Sequence, residues 1–232
     1  MKAKFIFFIN FSLFTKFYNR TNIQMEIFTP GGPLLIFLAS LFTSNILLSK
    51  FLGMCSFIAL SRNMKTSFGM GIAVTFVTFA TALINYGIHH GILAKGSVIF
   101  PDADLTYLEF LIFILVIAGF VQFVEIILER FIPSLYFSFG IFLPLITVNC
   151  AILGVNLLMV DPNLNFDLFK TGVYALGSGL GYCLAICLMA GIRNKLQDAD
   201  IPEPLQGLGS TVIITGIMAL AFMGFTGMVE LG

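Results

Sequence analysis

Charge is scarce in this sequence: of 232 residues only 10% are Asp, Glu, Lys or Arg, and the formal net charge is zero. No run of basic residues interleaves with aromatics, which excludes the footprint of a nucleic-acid binder. Close metal-type cysteine pairs are missing too. The four cysteines, Cys55, Cys150, Cys183 and Cys187, contain no CxxC, which argues against a zinc knuckle and against a secreted disulfide framework. The glycines Gly69, Gly71, Gly177, Gly179 and Gly181 lack the GK[ST] ending of a phosphate loop. Neither a Ser-His-Asp set, nor paired catalytic carboxylates, nor a dinucleotide fingerprint is present, so catalysis by the chain alone is not expected.

What fills the sequence is apolar: 58% of residues are hydrophobic and the mean hydropathy is +1.00. Such a composition belongs in a bilayer. Apolar runs long enough to cross about 30 Å of hydrocarbon, roughly 20 residues each, begin near Leu34, Phe68, Tyr107, Ser134, Gly172 and Leu208. Backbone groups in hydrocarbon must be paired within their own segment, so the expectation is an all-α protein of six transmembrane helices. Charge and turn residues collect between the runs.

Arg62, Lys65, Arg130, Arg193 and Lys195 fall in the first, third and fifth loops, against only Lys95 and Lys170 in the second and fourth. That asymmetry predicts odd loops in the cytoplasm and both termini on the opposite, periplasmic side. Lys2, Lys4, Lys16 and Arg20 around a short Phe-rich run resist that placement. Met1 to Gln24 therefore reads as an extension outside the working fold, with Met25 as an alternative start and the functional unit over 25–232. A cleavable signal is the second reading of this segment.

Setting the first span on the fourth at the 95-residue separation of Cys55 and Cys150 aligns Gly53-Met54-Cys55-Ser56 with Val148-Asn149-Cys150-Ala151. In the next spans Gly69-Met70-Gly71 matches Gly177-Ser178-Gly179. A repeat of three spans, about 34–130 and 134–230, must insert its second copy from the opposite face, giving two inverted halves. Both cysteine-bearing spans also look interrupted, by Asn45, Lys50 and Gly53 in one and by Pro144, Asn149 and Gly154 in the other. Interrupted spans at matching places point to a site near the membrane midplane, to which each half brings a thiol. Those thiols read as metal ligands, as a redox disulfide, or as small packing residues. A thiolate at that depth is costly unless a metal compensates its charge.

The runs Phe51 to Val74, Gly140 to Gly154, Ala190 to Gly209 and Gly216 to Gly227 resemble a family of membrane subunits shared by the sodium-translocating NADH:quinone reductase and the Rnf electron-transport complexes. Within it the chain is most similar to the E-subunit type. Met54, Val148 and Lys65-Thr66-Ser67-Phe68-Gly69 lean that way, whereas Lys50 and Ala221-Phe222-Met223-Gly224-Phe225 lean toward the Rnf A subunit, which stays as the alternative.

The resemblance implies a bacterial inner-membrane complex, a translocase that passes electrons from NADH to ubiquinone and exports sodium. It implies that other subunits, A, B, C and F, hold NADH, flavins and ubiquinone. It further implies that Cys55 and Cys150 supply two ligands of an intramembrane [2Fe-2S] cluster. The other two ligands would come from a homologous D subunit in the opposite orientation. A sodium or solute transporter with packing cysteines, and a purely structural subunit, are readings from other classes.

Four further features carry expectations. Cys183 and Cys187, four apart on one helical face, could supply two further ligands, but the second span has Thr75, Val77 and Phe79 in the equivalent stretch, so they read as packing residues. Glu125 reads as an interfacial carboxylate or an ion-coupling group, and Lys50 as a snorkelling side chain or a charge beside a metal centre. The tandem His89-His90 is expected in a solvated loop without a carboxylate partner.

Overall fold

The computed structural model describes residues 33–93, 108–131, 143–161, 166–196 and 207–225, and every element among them is helical. The N-terminal segment Met1 to Gln24, Met25, Lys95 and Ser134 lie outside these residues. In chain order, α1 (Pro33–Leu38) runs into a π-helical turn (Ala39–Thr43), followed by α2 (Met54–Leu60) and α3 (Met64–Ile88) with a π-helical extension (His89–Leu93). Then come α4 (Glu109–Phe131), α5 (Leu143–Thr147), α6 (Cys150–Leu158), α7 (Leu168–Leu196) and α8 (Leu208–Met223).

Three stretches, Met64–Gly91, Glu109–Ile127 and Leu168–Leu196, are long and apolar enough to cross a membrane. Shorter apolar stretches occupy Pro33–Thr43, Pro144–Leu158 and Leu208–Met223. Large apolar side chains such as Leu111, Leu115, Phe123, Ile217 and Leu220 are exposed, a surface suited to lipid and not to water.

The centre of the molecule is the crossing of α3 and α7. Between lipid-embedded helices there is no hydrophobic drive, so close backbone approach through small residues carries the association. A Cβ on Gly179 would lie 2.7 Å from the Thr75 Cα, and one on Gly71 would lie 2.9 Å from the Cys183 Cα and meet the Cys183 sulfur. Cys183 therefore packs directly against Gly71 at this crossing. Because backbone cannot yield as a side chain does, Gly179→Val forces the two helices apart. The overpacking cost of roughly 1–3 kcal/mol should appear as a several-fold drop in the amount of subunit recovered from membranes, measured by immunoblot.

Two expectations change. Pro144 is not the cause of the fourth-span break: it sits in the first turn of α5, where a missing N–H costs nothing, and the helix ends at Val148-Asn149 instead. Gly154 lies inside α6, and its role is close approach, since a Cβ there would reach Leu52 Cδ1 at 2.5 Å. The histidines are not in a solvated loop. They continue α3 as a π-helical extension, with His89 Nε2 3.9 Å from Glu109 Oε1 and the two side chains 19% and 14% exposed. His90 stacks on Tyr86 at 4.3 Å between ring centroids.

Candidate functional site

The first interrupted segment is built around Asn45. Between the π-helical turn and α2 the chain is not helical over 44–53, and its backbone groups need partners that lipid cannot offer. Asn45, fully buried, supplies them: its Oδ1 accepts from the N–H groups of Leu47 (3.1 Å) and Leu48 (3.3 Å). Its Nδ2 donates to the carbonyls of Leu41 (3.2 Å) and Gly181 (2.8 Å), tying the break to α7. Phe51 takes φ 56°, a left-handed conformation that costs a side-chain-bearing residue roughly 1–2 kcal/mol. Gly53, at φ 85°, then caps α2 without that cost.

The second break is shorter. Asn149 precedes α6 in an extended conformation and its Oδ1 accepts the N–H of Ala151 at 3.0 Å, an N-cap that opens the helix on Cys150. The two breaks touch. A Cβ on Gly53 would lie 3.0 Å from Ala151 Cβ, 3.1 Å from Asn149 Oδ1 and 3.2 Å from the Tyr182 ring.

A buried hydrogen-bond network locks this crossing. Ser56 Oγ donates to the Gly53 carbonyl (3.0 Å), which leaves it to accept from Asn149 Nδ2 (3.2 Å) and from the Tyr182 hydroxyl (2.7 Å). Each partner comes from a different element, α2, the start of α6, and α7. Tyr182→Phe removes one of these bonds and about 1 kcal/mol. The denaturation midpoint of the purified assembly should fall by about 2–4 °C with its iron content unaltered, as read by differential scanning fluorimetry and metal analysis.

Cys55 is the second residue of α2 and Cys150 the first of α6. Each is the chain neighbour of a member of the locked network, Ser56 and Asn149, so the crossing that joins those residues also draws the two cysteines to it. Both cysteines are exposed. Cys183 and Cys187 stand on α7, half-buried, and hydrogen-bond each other; Cys183 directly follows Tyr182 of the locked network. Among the described residues no group of three or more His, Cys, Asp or Glu side chains converges on a metal position. Two exposed thiols are compatible with half of a four-thiolate cluster site.

Lys50, in the first break, lies within electrostatic reach of the buried Asp161 that follows the C-terminal end of α6. Glu125 falls on the seam of α4 marked by buried Phe113, Ile117 and Val121, four residues further on, and is half-buried. Sequence reasoning missed Asn45 as the organiser of the first break, and Tyr182 and Ser56 altogether. A buried Asn beside a predicted break was the available signal for the first; the others are joined only by a contact across 126 residues.

Long apolar helices, shorter interrupted ones that cross at a buried polar lock, and a lipid-suited surface define a multi-pass helical membrane protein. Residues 34–229 match the family described as "Rnf-Nqr subunit, membrane protein", and the chain belongs to this family. Among its relatives are proteins that carry the name of the E subunit of the Na(+)-translocating NADH-quinone reductase. The one from Pseudoalteromonas translucida is 49% identical over 195 residues, covering 83% of this chain and 96% of the relative. That from Serratia proteamaculans is 50% identical over 192 residues with the same coverage of each chain, and that from Idiomarina loihiensis is 48% identical over 195 residues.

Proposed function

We propose that this chain is the E-type membrane subunit of a sodium-translocating NADH:quinone reductase. In this reading Cys55 and Cys150 give two ligands to an intramembrane [2Fe-2S] cluster, and a homologous subunit of opposite orientation gives the other two. The observation that carries it is the pair of exposed thiols at the crossing of two interrupted helices, in a chain about half identical to relatives of that name. Such a cluster takes up and releases single electrons.

The residues of this chain hold and orient. Asn149 and Gly53 start the two short helices on the cysteines, and the Ser56–Tyr182 bond fixes the spacing of those helices against α7. The apolar side chains around the crossing, Phe57, Ile152 and Ile186 among them, exclude water from its inner side. Exposure of both thiols leaves them accessible to a partner, as a shared site requires.

An inverted repeat is supported by a second pair of contacts. Ser61 corresponds to Asn156 at the separation of the cysteines, and Asn85 corresponds to Arg193 at the separation of the matched glycines Gly69 and Gly177. Asn156 bonds Asn85, with Nδ2 of Asn85 2.8 Å from Oδ1 of Asn156, and Ser61 bonds Arg193 at 2.9 Å. Equivalent positions thus meet in both halves. Six spans, an inner-membrane location and both termini in the periplasm complete the proposal.

The test is co-purification. The assembled complex should contain a homologous six-span protein with two similarly placed cysteines, and its iron should exceed what the other subunits bind. A complex with no such partner and no iron lost on removing this subunit would sink the reading.

A further inference from the structure

The mirrored contacts differ in one respect. At the cytoplasmic end of α7 the Arg193 guanidinium donates to the Ile58 carbonyl (3.0 Å) and to Ser61 Oγ (2.9 Å), so a fixed cation fills that niche. At the corresponding place in the other half stands Asn85, neutral, fully buried, and carrying an Oδ1 with no hydrogen-bond partner. An unpartnered amide oxygen in that setting costs roughly 1–3 kcal/mol unless something meets it.

The surroundings of Asn85 are oxygen-rich. Asn156, fully buried, donates through Nδ2 to Thr81 Oγ1 (3.3 Å) and to the Ile152 carbonyl (2.8 Å), and its Oδ1 accepts only from Asn85 among the described contacts. Thr75, Thr78, Thr81 and Asn85 recur at intervals of three and four, forming one buried polar face of α3. Each threonine returns its hydroxyl proton to the carbonyl four residues earlier, at 2.6 to 2.7 Å, which leaves the oxygens as acceptors. One turn beyond Asn85, His89 faces Glu109, whose Oε1 is also buried and lacks a hydrogen bond. His89 Nδ1 is likewise buried without a hydrogen-bond partner.

From this asymmetry we infer that Asn85 Oδ1 and Asn156 Oδ1 bind a small hard monovalent cation at the place its mirror half fills with Arg193. The Glu109 carboxylate supplies negative charge at the end of α3 that leads to the second loop. Neutral amide and hydroxyl oxygens suit such an ion, which sheds its water for them without the cost of a permanently buried charge. The inference rests on the sodium-translocating reading above, and the ion under that reading is sodium. By the Lys/Arg asymmetry of the loops the site lies toward the periplasmic side.

The experiment uses the purified complex in proteoliposomes, with NADH-driven quinone reduction followed against sodium concentration for wild type, N85L, N85D and E109Q. N85L and E109Q should raise the half-saturating sodium concentration by about tenfold, equivalent to 1.4 kcal/mol. N85D, which places a carboxylate at the same position, should lower it several-fold. Iron content should stay at the wild-type level in all of them. If N85L fails to assemble, N85D decides, because a packing role gives no reason for tighter sodium dependence. Assembled variants with wild-type sodium curves overturn the site. A wild-type complex with no sodium dependence would instead overturn the sodium reading itself.

Discussion

Cys55→Ser or Cys150→Ser should abolish the intramembrane cluster signal in electron paramagnetic resonance of the purified complex. NADH-driven quinone reduction should fall by at least about 100-fold, since even partners behind a metal ligand are worth 10–100-fold. Serine keeps the size of the side chain but replaces a soft thiolate by a hydroxyl that iron holds poorly. The cysteines are exposed, so neither change opens a core cavity, and the bonds among Ser56, Asn149 and Tyr182 involve neither sulfur. The subunit should therefore remain in the membrane in normal amount.

The control is Cys183→Ser with Cys187→Ser. Cys183 packs on Gly71 at the α3–α7 crossing, and the double variant should keep iron and electron transfer at wild-type levels. Full iron in the Cys55 variant would refute ligation by this chain. Loss of iron in the control would show that the ligand set had been misassigned.

Part of this arrangement was readable from the sequence, because it is local. Helix starts at Pro33, Glu109 and Leu208 fall within a few residues of the predicted span starts, since hydrophobic length alone sets them. The interruption of both cysteine-bearing segments was readable from Asn45, Gly53 and Asn149, residues whose backbone preferences disfavour a continued helix.

What escaped was non-local. Proline drew the fourth break toward Pro144, yet a proline in the first turn of a helix starts it, and only the cap at Asn149 shows where the new helix begins. His89 meets Glu109 across 20 residues, and nothing in the periodicity of either segment announces that approach. Ser56 and Tyr182 read as an ordinary small residue and an ordinary aromatic until the crossing of α2, α6 and α7 brings them together.

Asn45→Leu should have the largest effect on assembly, because no other side chain in the first break makes four contacts to backbone. Leucine is close in size and more apolar, so hydropathy alone predicts a better membrane segment. The physical outcome is the reverse. The N–H groups of Leu47 and Leu48 lose their partner in a region without water, at roughly 1–3 kcal/mol each, and the tie to the Gly181 carbonyl of α7 is cut. Together that rivals the 5–15 kcal/mol by which folded proteins are stable.

The chain can escape the penalty by rewinding 44–53 into continuous helix. Rewinding would move Gly53 off Asn149 and Ala151 and carry Cys55 away from the crossing. The expected result is a strong reduction of the assembled complex in membranes, with any remaining material depleted of intramembrane iron. Asn45→Asp, which retains the acceptor for Leu47 and Leu48 but loses both donations, should also reduce assembly, through a buried charge in place of an unwound backbone. Immunoblotting of membranes together with iron analysis of purified complex distinguishes the cases. Normal abundance and normal iron in Asn45→Leu would show that the break is held by contacts other than this side chain.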